Sequence, residues 1–251
     1  MQDFTAHRNF LKDSLRKSID FRNSDQNRGV PEPPPQQPLA QDLPRIALPQ
    51  KKDWQPCIPK TDLISAITNR KSRRSFNNAP LSIEELSFLL WATQGQRNAD
   101  RRTPHFRTVP SAGARHSFET YLFIQRVETI PAGLYRFLPL SGEIVFLYAS
   151  DQMSTSKLAK ATFGQKFIAS SAVTFVWTTV PYRMEWRYLE AAHRVILLDA
   201  GHVCQNLYLA CENIGAGTCA IAAYDQEAMD ALLGVDGKDE FAVYLAPVGK
   251  Y

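Results

Sequence analysis

Nowhere in the 251 residues do about 18 apolar residues follow one another, and the first residues carry no apolar signal core. A membrane span is therefore not expected, and the chain reads as soluble and cytoplasmic. Cysteine is scarce, and Cys57, Cys204, Cys211 and Cys219 show no metal-like pairing. Reduced core thiols are the expectation, with no metal site. Neither sign of charge dominates: the net +4 is mild and spread out, apart from clusters at residues 70–74 and 97–107. That pattern favours a local anion site over a broad nucleic-acid face. There is no internal repeat, and a chain 44% hydrophobic at this length can build one large core with an attached arm.

The richest stretch lies at residues 194–224. Ile196, Ala200, Val203, Leu207, Ala210 and Ile214 recur at steps of four and three, which stacks them on one helix face. Leu198 and Leu209 lie on the opposite face, so the helix is expected inside the protein or at a subunit contact. Gly215 is expected to stop it in a left-handed conformation, with a short buried strand following at 218–224. Gly215-Ala216-Gly217-Thr218-Cys219-Ala220 matches the letters of a dinucleotide fingerprint, but that motif needs a strand first and a helix second. Here the order is reversed, which rejects a Rossmann reading. His202, on the same helix, reads as a packed core histidine.

Along the rest of the chain, Phe10, Leu11 and Leu15 suggest a short N-terminal helix. Residues 23–52 turn to proline, glutamine and asparagine, with Pro31, Pro33, Pro34 and Pro35 forbidding a continuous helix. This arm has two open readings, an extension along another subunit or a disordered segment. A short helix through Leu63, Ile64 and Ile67 leads into Arg70-Lys71-Ser72-Arg73-Arg74-Ser75, either an anion cradle or a solvated basic turn. Ser82 and Glu85 form a capping box for a helix that ends at Gly95. Residues 97–108 read as a loop.

Pro110-Ser111-Ala112-Gly113 is a turn of small residues before a strand at 118–125. It is either an ordinary loop or a place where a ligand touches backbone. Strands at 133–137 and 143–148 form a hairpin around Pro139, Ser141 and Gly142. A helix at 151–163, a central strand at 172–180, a capped helix from Asp225 and a last strand at 241–245 complete the pattern.

Seven of these segments, in this order, resemble the FMN-dependent nitroreductase superfamily, and within it the SagB-type dehydrogenase branch. They are the basic turn 70–74, the helix 86–95, Pro110-Ser111-Ala112-Gly113, Gly133-Leu134-Tyr135, Leu198-Asp199-Ala200-Gly201-His202, Gly215-Ala216-Gly217-Thr218-Cys219 and Pro247-Val248-Gly249-Lys250. The resemblance implies an α+β fold, with a central mostly antiparallel sheet flanked by helices and a long buried central helix. It also implies a homodimer holding FMN at the subunit boundary. The expected domains are an arm at 1–58 and an FMN-binding domain at 59–251.

By that resemblance Arg70 and Ser72 bind the phosphate or ribityl chain, Arg74 shares the cradle, and Lys250 is a second phosphate cation. Lys71 points at the pyrimidine edge of the flavin. Pro110, Ser111 and Ala112 line the ring from the partner subunit, and Gly217 and Thr218 bring a backbone N–H to N5. Gly113 and Gly249 complete the set. Small residues at 112, 113, 216 and 217 are expected to let the ring lie flat.

The absence of a Ser-His-Asp pattern suits chemistry carried by a cofactor. Where azoline oxidases of the branch carry Lys-Tyr, this chain has Arg187-Tyr188, and an arginine stays protonated. The leading expectation is hydride transfer from NAD(P)H through FMN to a small acceptor such as a nitroaromatic or quinone. An azoline-type substrate dehydrogenase and a non-catalytic flavin-binding protein are the alternatives, with no nucleic-acid or membrane partner.

Overall fold

The computed structural model describes residues 3–97, 106–150 and 152–251. Within them lie β1 (Arg45–Ala47), β2 (Phe118–Ile124), β3 (Gly133–Leu138), β4 (Glu143–Ala149), β5 (Val173–Thr179), β6 (Ala216–Thr218) and β7 (Phe241–Lys250). They form one sheet in the order β1-β4-β3-β2-β5-β7-β6, and every ladder is antiparallel. β2, β3 and β5 are buried at every position, because helices cover both faces of the sheet.

The helices are α1 (Thr5–Leu11), α2 (Lys51–Trp54), α3 (Leu63–Asn69), α4 (Ile83–Gln94), α5 (Gln152–Ala161), α6 (Tyr182–Tyr188), α7 (Ala192–Asn213) and α8 (Gln226–Leu233). Strand alternation assigns the layers. Leu122 and Ile124 face a core shared with α4 and α7, whereas Tyr121 and Phe123 face one shared with α5 and α8. Among the described residues no helix is long and apolar enough to cross a membrane.

Local chemistry sets the helix ends. Ser82 Oγ accepts the N–H of Glu85 at 3.2 Å, and the Glu85 carboxylate accepts the N–H of Ser82 at 3.0 Å, so α4 starts where its capping box lies. Gly215 adopts φ +59° just beyond α7. The strand after it is shorter than the expected 218–224: β6 pairs at once with β7, and Ile221 touches β7 only through an isolated bridge to Leu245. The sequence reading does not anticipate α2 or α6. Its loop at 97–108 falls partly outside the described residues.

The proline-rich segment is ordered against its own chain. Trp186 Nε1 donates to Val30 O at 3.0 Å, Arg183 Nε to Pro34 O at 2.8 Å and Arg107 Nη2 to Pro35 O at 3.0 Å. Arg136 donates to Gln37 O, and the N–H of Gln37 donates to Glu119 Oε1 at 2.7 Å. Proline offers carbonyl acceptors and no N–H, while arginine offers donors only, so the two are complementary. Arg45–Ala47 then joins the sheet as its edge strand, inside the segment assigned to the arm.

Candidate functional site

The basic turn docks on the edge of the sheet. Ser72 bridges Thr218 in parallel, Arg73 N–H donates to Thr218 O at 3.0 Å, and Asn77 N–H donates to Lys250 O at 2.9 Å. Turn, β6 and the end of β7 thus converge, although they are far apart in sequence. Tyr208 of α7 fixes the turn from below. Arg70 lies over its ring at 5.3 Å, and its hydroxyl bonds Ser72 Oγ at 3.1 Å while accepting the N–H of Ala220 at 2.8 Å.

Residues 71–77 and Tyr251 line an open concavity of about 490 Å³. Lys71, Ser72 and Arg74 are exposed on it. Among the described residues no carboxylate pairs with Arg70, Lys71, Arg73 or Arg74. Arg73 stacks on Tyr251 at 3.5 Å, and its Nε is buried with no hydrogen-bond partner. Lys71, Arg73 and Arg74 line this concavity without a paired carboxylate, with Arg70 beside them on Tyr208, and such a set suits a phosphorylated ligand.

Lys250 lies at the far side of the same edge and is already engaged. Its ammonium donates to Glu85 Oε1 at 2.5 Å and to Ile214 O. An ammonium has three protons, so one remains for a ligand, with the charge largely balanced by Glu85.

The small residues serve this chain's own packing. A Cβ on Gly217 would lie 2.9 Å from Cβ and Cγ of Arg73, and one on Gly249 would lie 2.8 Å from Cγ of Phe76. The open wall expected at Ala216 and Gly217 is therefore filled: Arg73 covers Gly217, and Ala216 and Thr218 are buried.

The second half of the site is the turn at residues 110–113. Pro110 and Gly113 are exposed, and Ser111 and Ala112 are half-buried. Asp199 of α7 accepts the N–H of Ala112 at 3.2 Å, and Ser111 Oγ accepts the N–H of His116 at 3.0 Å. Gly113 has φ +56°, and a Cβ there would lie 2.6 Å from the Tyr188 hydroxyl and 3.1 Å from Arg187 Cδ. Arg187 and Tyr188, far away in sequence, therefore sit directly against this turn.

Burial pushes the Asp199 carboxyl above the usual carboxylate range, opposed by hydrogen bonds from Ser111 and Ala112. His202, expected in the core, is instead an exposed side chain whose Nδ1 lies 3.9 Å from Asp199 Oδ1. Burial also pushes the Cys204 thiol up to about 12, which suits packing rather than nucleophilic chemistry.

One helix carries both halves. Asp199 and Tyr208 are nine residues apart on α7, roughly 13 Å along its axis at 1.5 Å per residue. Tyr208, Asp199 and Tyr251 are given no role in the sequence reading, and Arg73 enters it only as one cation of the basic turn.

Against known proteins, residues 67–250 match the Nitroreductase family. The chain belongs to the nitroreductase family. Both halves of the site lie inside the matched segment, and the proline-rich arm precedes it. A relative in Methanocaldococcus jannaschii, MJ1384, assigned as a nitroreductase, is 31% identical over 195 residues, covering 78% of this chain and 94% of that protein. A crystal structure of a protein from Ralstonia eutropha JMP134, also assigned as a nitroreductase, shares the fold. Its TM-score is 0.66 at 23% identity, over 84% of this chain and 91% of the other. The NADPH:FMN oxidoreductase of Vibrio harveyi, solved with NAD+, is similar in fold at a TM-score of 0.53 and 16% identity, over 74% and 67% of the two chains.

Proposed function

We propose that this nitroreductase-family oxidoreductase is a homodimer that binds FMN and passes a hydride from NAD(P)H to a small organic acceptor such as a nitroaromatic or quinone. The observation that carries the reading is the uncompensated cationic turn 70–74, docked on β6 beside an open concavity. When bound, FMN supplies the hydride-accepting and hydride-donating centre. Arg70, Ser72 and Arg74 hold the phosphate and ribityl chain, Lys250 adds a proton donor, and Lys71 faces the pyrimidine edge. A fixed cation there favours the reduced cofactor by opposing its added negative charge. Gly217, Thr218 and Gly249 contribute indirectly, by letting Arg73 of the basic turn and Phe76 just after it pack onto the sheet edge.

A second copy of the chain completes the site in this reading. Leu63, Ile64 and Ile67 on α3 and Leu197 and Leu198 on α7 are exposed, an apolar set that a partner would cover. The partner's turn at residues 110–113 then lines the flavin ring, held in place by its own α7. Arg187 and Tyr188, packed on Gly113, border the space for the acceptor and orient it. An azoline-type dehydrogenase of the SagB-type branch is the second reading, favoured by Tyr188 beside Gly113. Arg187 cannot take a proton in it, because a guanidinium stays charged.

Anaerobic titration with NADPH and with NADH, followed by a quinone, tests the proposal. Bleaching of the bound flavin by either nucleotide and its return on adding the quinone are expected. A flavin that neither nucleotide bleaches would leave substrate dehydrogenation or simple flavin carriage.

A further inference from the structure

We propose that Arg115 recognises the carboxylate of an anionic organic acceptor, and that Glu32 of the N-terminal arm holds this place until the ligand displaces it. The proposal rests on the reading above in one respect, that the turn beside Gly113 borders the acceptor. It deepens that reading by naming the acceptor's class.

Residues 32–37 lay four oxygens on four arginines. Three are backbone carbonyls, from Pro34 to Arg183, from Pro35 to Arg107 and from Gln37 to Arg136. Those arginines are buried and have further partners: Glu119 pairs with Arg183 and Arg136, and Gln94 with Arg107. These contacts fasten the arm. The fourth differs in kind, for Glu32 Oε1 lies 2.8 Å from Arg115 Nη1 as a carboxylate from a side chain.

Arg115 is built in, and Glu32 is not. The Arg115 side chain is 10% exposed, and its guanidinium stacks on Trp186 at 5.2 Å and donates from Nε to Gly113 O at 3.1 Å. The Glu32 side chain is 41% exposed and can swing into solvent while the prolines behind it stay fastened. Among the described residues Glu32 is the only acid paired with Arg115, and none pairs with Arg187, which packs against Gly113. Both guanidiniums thus reach the turn, and the exchangeable carboxylate of Glu32 sits on Arg115. A fork of parallel N–H donors suits a carboxylate, and Trp186 behind it supports a flat organic acid. The arm leaves a cavity of only about 10 Å³ against Arg107, Arg115 and Arg183, so the ligand gains its place by replacing the Glu32 side chain.

Calorimetric titration of the protein as isolated, with 4-nitrobenzoate and with its neutral analogue 4-nitrobenzamide, tests this. Glu32→Gln is expected to tighten 4-nitrobenzoate by about tenfold and to leave 4-nitrobenzamide unchanged. Arg115→Gln should abolish the preference for the acid, and Arg115→Lys should restore part of it. Equal tightening of both ligands in Glu32→Gln, or acid binding that is the same with and without Arg115, would overturn the proposal. The flavin content is read separately from the absorption spectrum. A colourless protein that still binds the acid through Arg115 would sink the redox reading and leave this one standing.

Discussion

Asp199 and Ala112 are 87 residues apart, yet the carboxylate of one accepts the backbone N–H of the other at 3.2 Å. This contact ties the surface turn at 110–113 to the helix whose Tyr208 orders the basic turn, so in each chain one helix positions both turns.

Asp199→Ala leaves the half-buried N–H of Ala112 without its acceptor and should cost about 1–3 kcal/mol of stability. Asp199→Asn keeps an acceptor oxygen and should cost less. The wild-type carboxyl holds its proton to higher pH when folded than its ordinary value of 3.8, so the native state binds more protons over that interval. Its stabilising contribution is complete below 3.8 and declines as the pH rises through the raised value. Urea midpoints across the acid range should therefore fall with rising pH more in wild type than in Asp199→Asn.

Gly217→Ala should destabilise the protein by about 1–3 kcal/mol, because its new methyl group meets Arg73 rather than open space. Adding Arg73→Ala removes the obstacle. The double variant should lose less than the sum of the two single losses, as measured by chemical denaturation.

Glu119 accepts from Arg183 at 2.5 Å and from the N–H of Gln37 at 2.7 Å, and lies 3.3 Å from Arg136. Glu119→Gln leaves buried guanidiniums without their acid and should cost about 3–5 kcal/mol. Limited proteolysis should then cut the arm ahead of Gln37 faster than in wild type.

Much of the scaffold is legible in local patterns, since each signal acts over a few residues. Ser82 with Glu85 marks the start of α4, Gly215 the end of α7, and the β-branched run Val173–Thr179 the centre of the sheet. The exposed Leu197, Leu198 and His202 were hidden because composition does not say which turns of an apolar helix lack a neighbour. The arm was illegible for a related reason: its partners are arginines more than 70 residues away. Tyr208 reaches Ser72 across 136 residues, and no periodicity reports such a contact.

Ile64→Asp with Leu198→Asp should halve the mass of the assembly in sedimentation and change protomer stability by only about 0.5 kcal/mol, as expected of surface substitutions. An unchanged mass would remove α3 and α7 from the subunit contact.

The most direct test compares FMN with riboflavin, which lacks the phosphate, in equilibrium binding to wild type and to Arg70→Gln/Arg74→Gln. A phosphate held by the basic turn predicts that wild type prefers FMN by about tenfold or more and that the double variant loses the preference while still binding riboflavin. Equal affinity of wild type for the two flavins, or a preference that survives in the double variant, would contradict it.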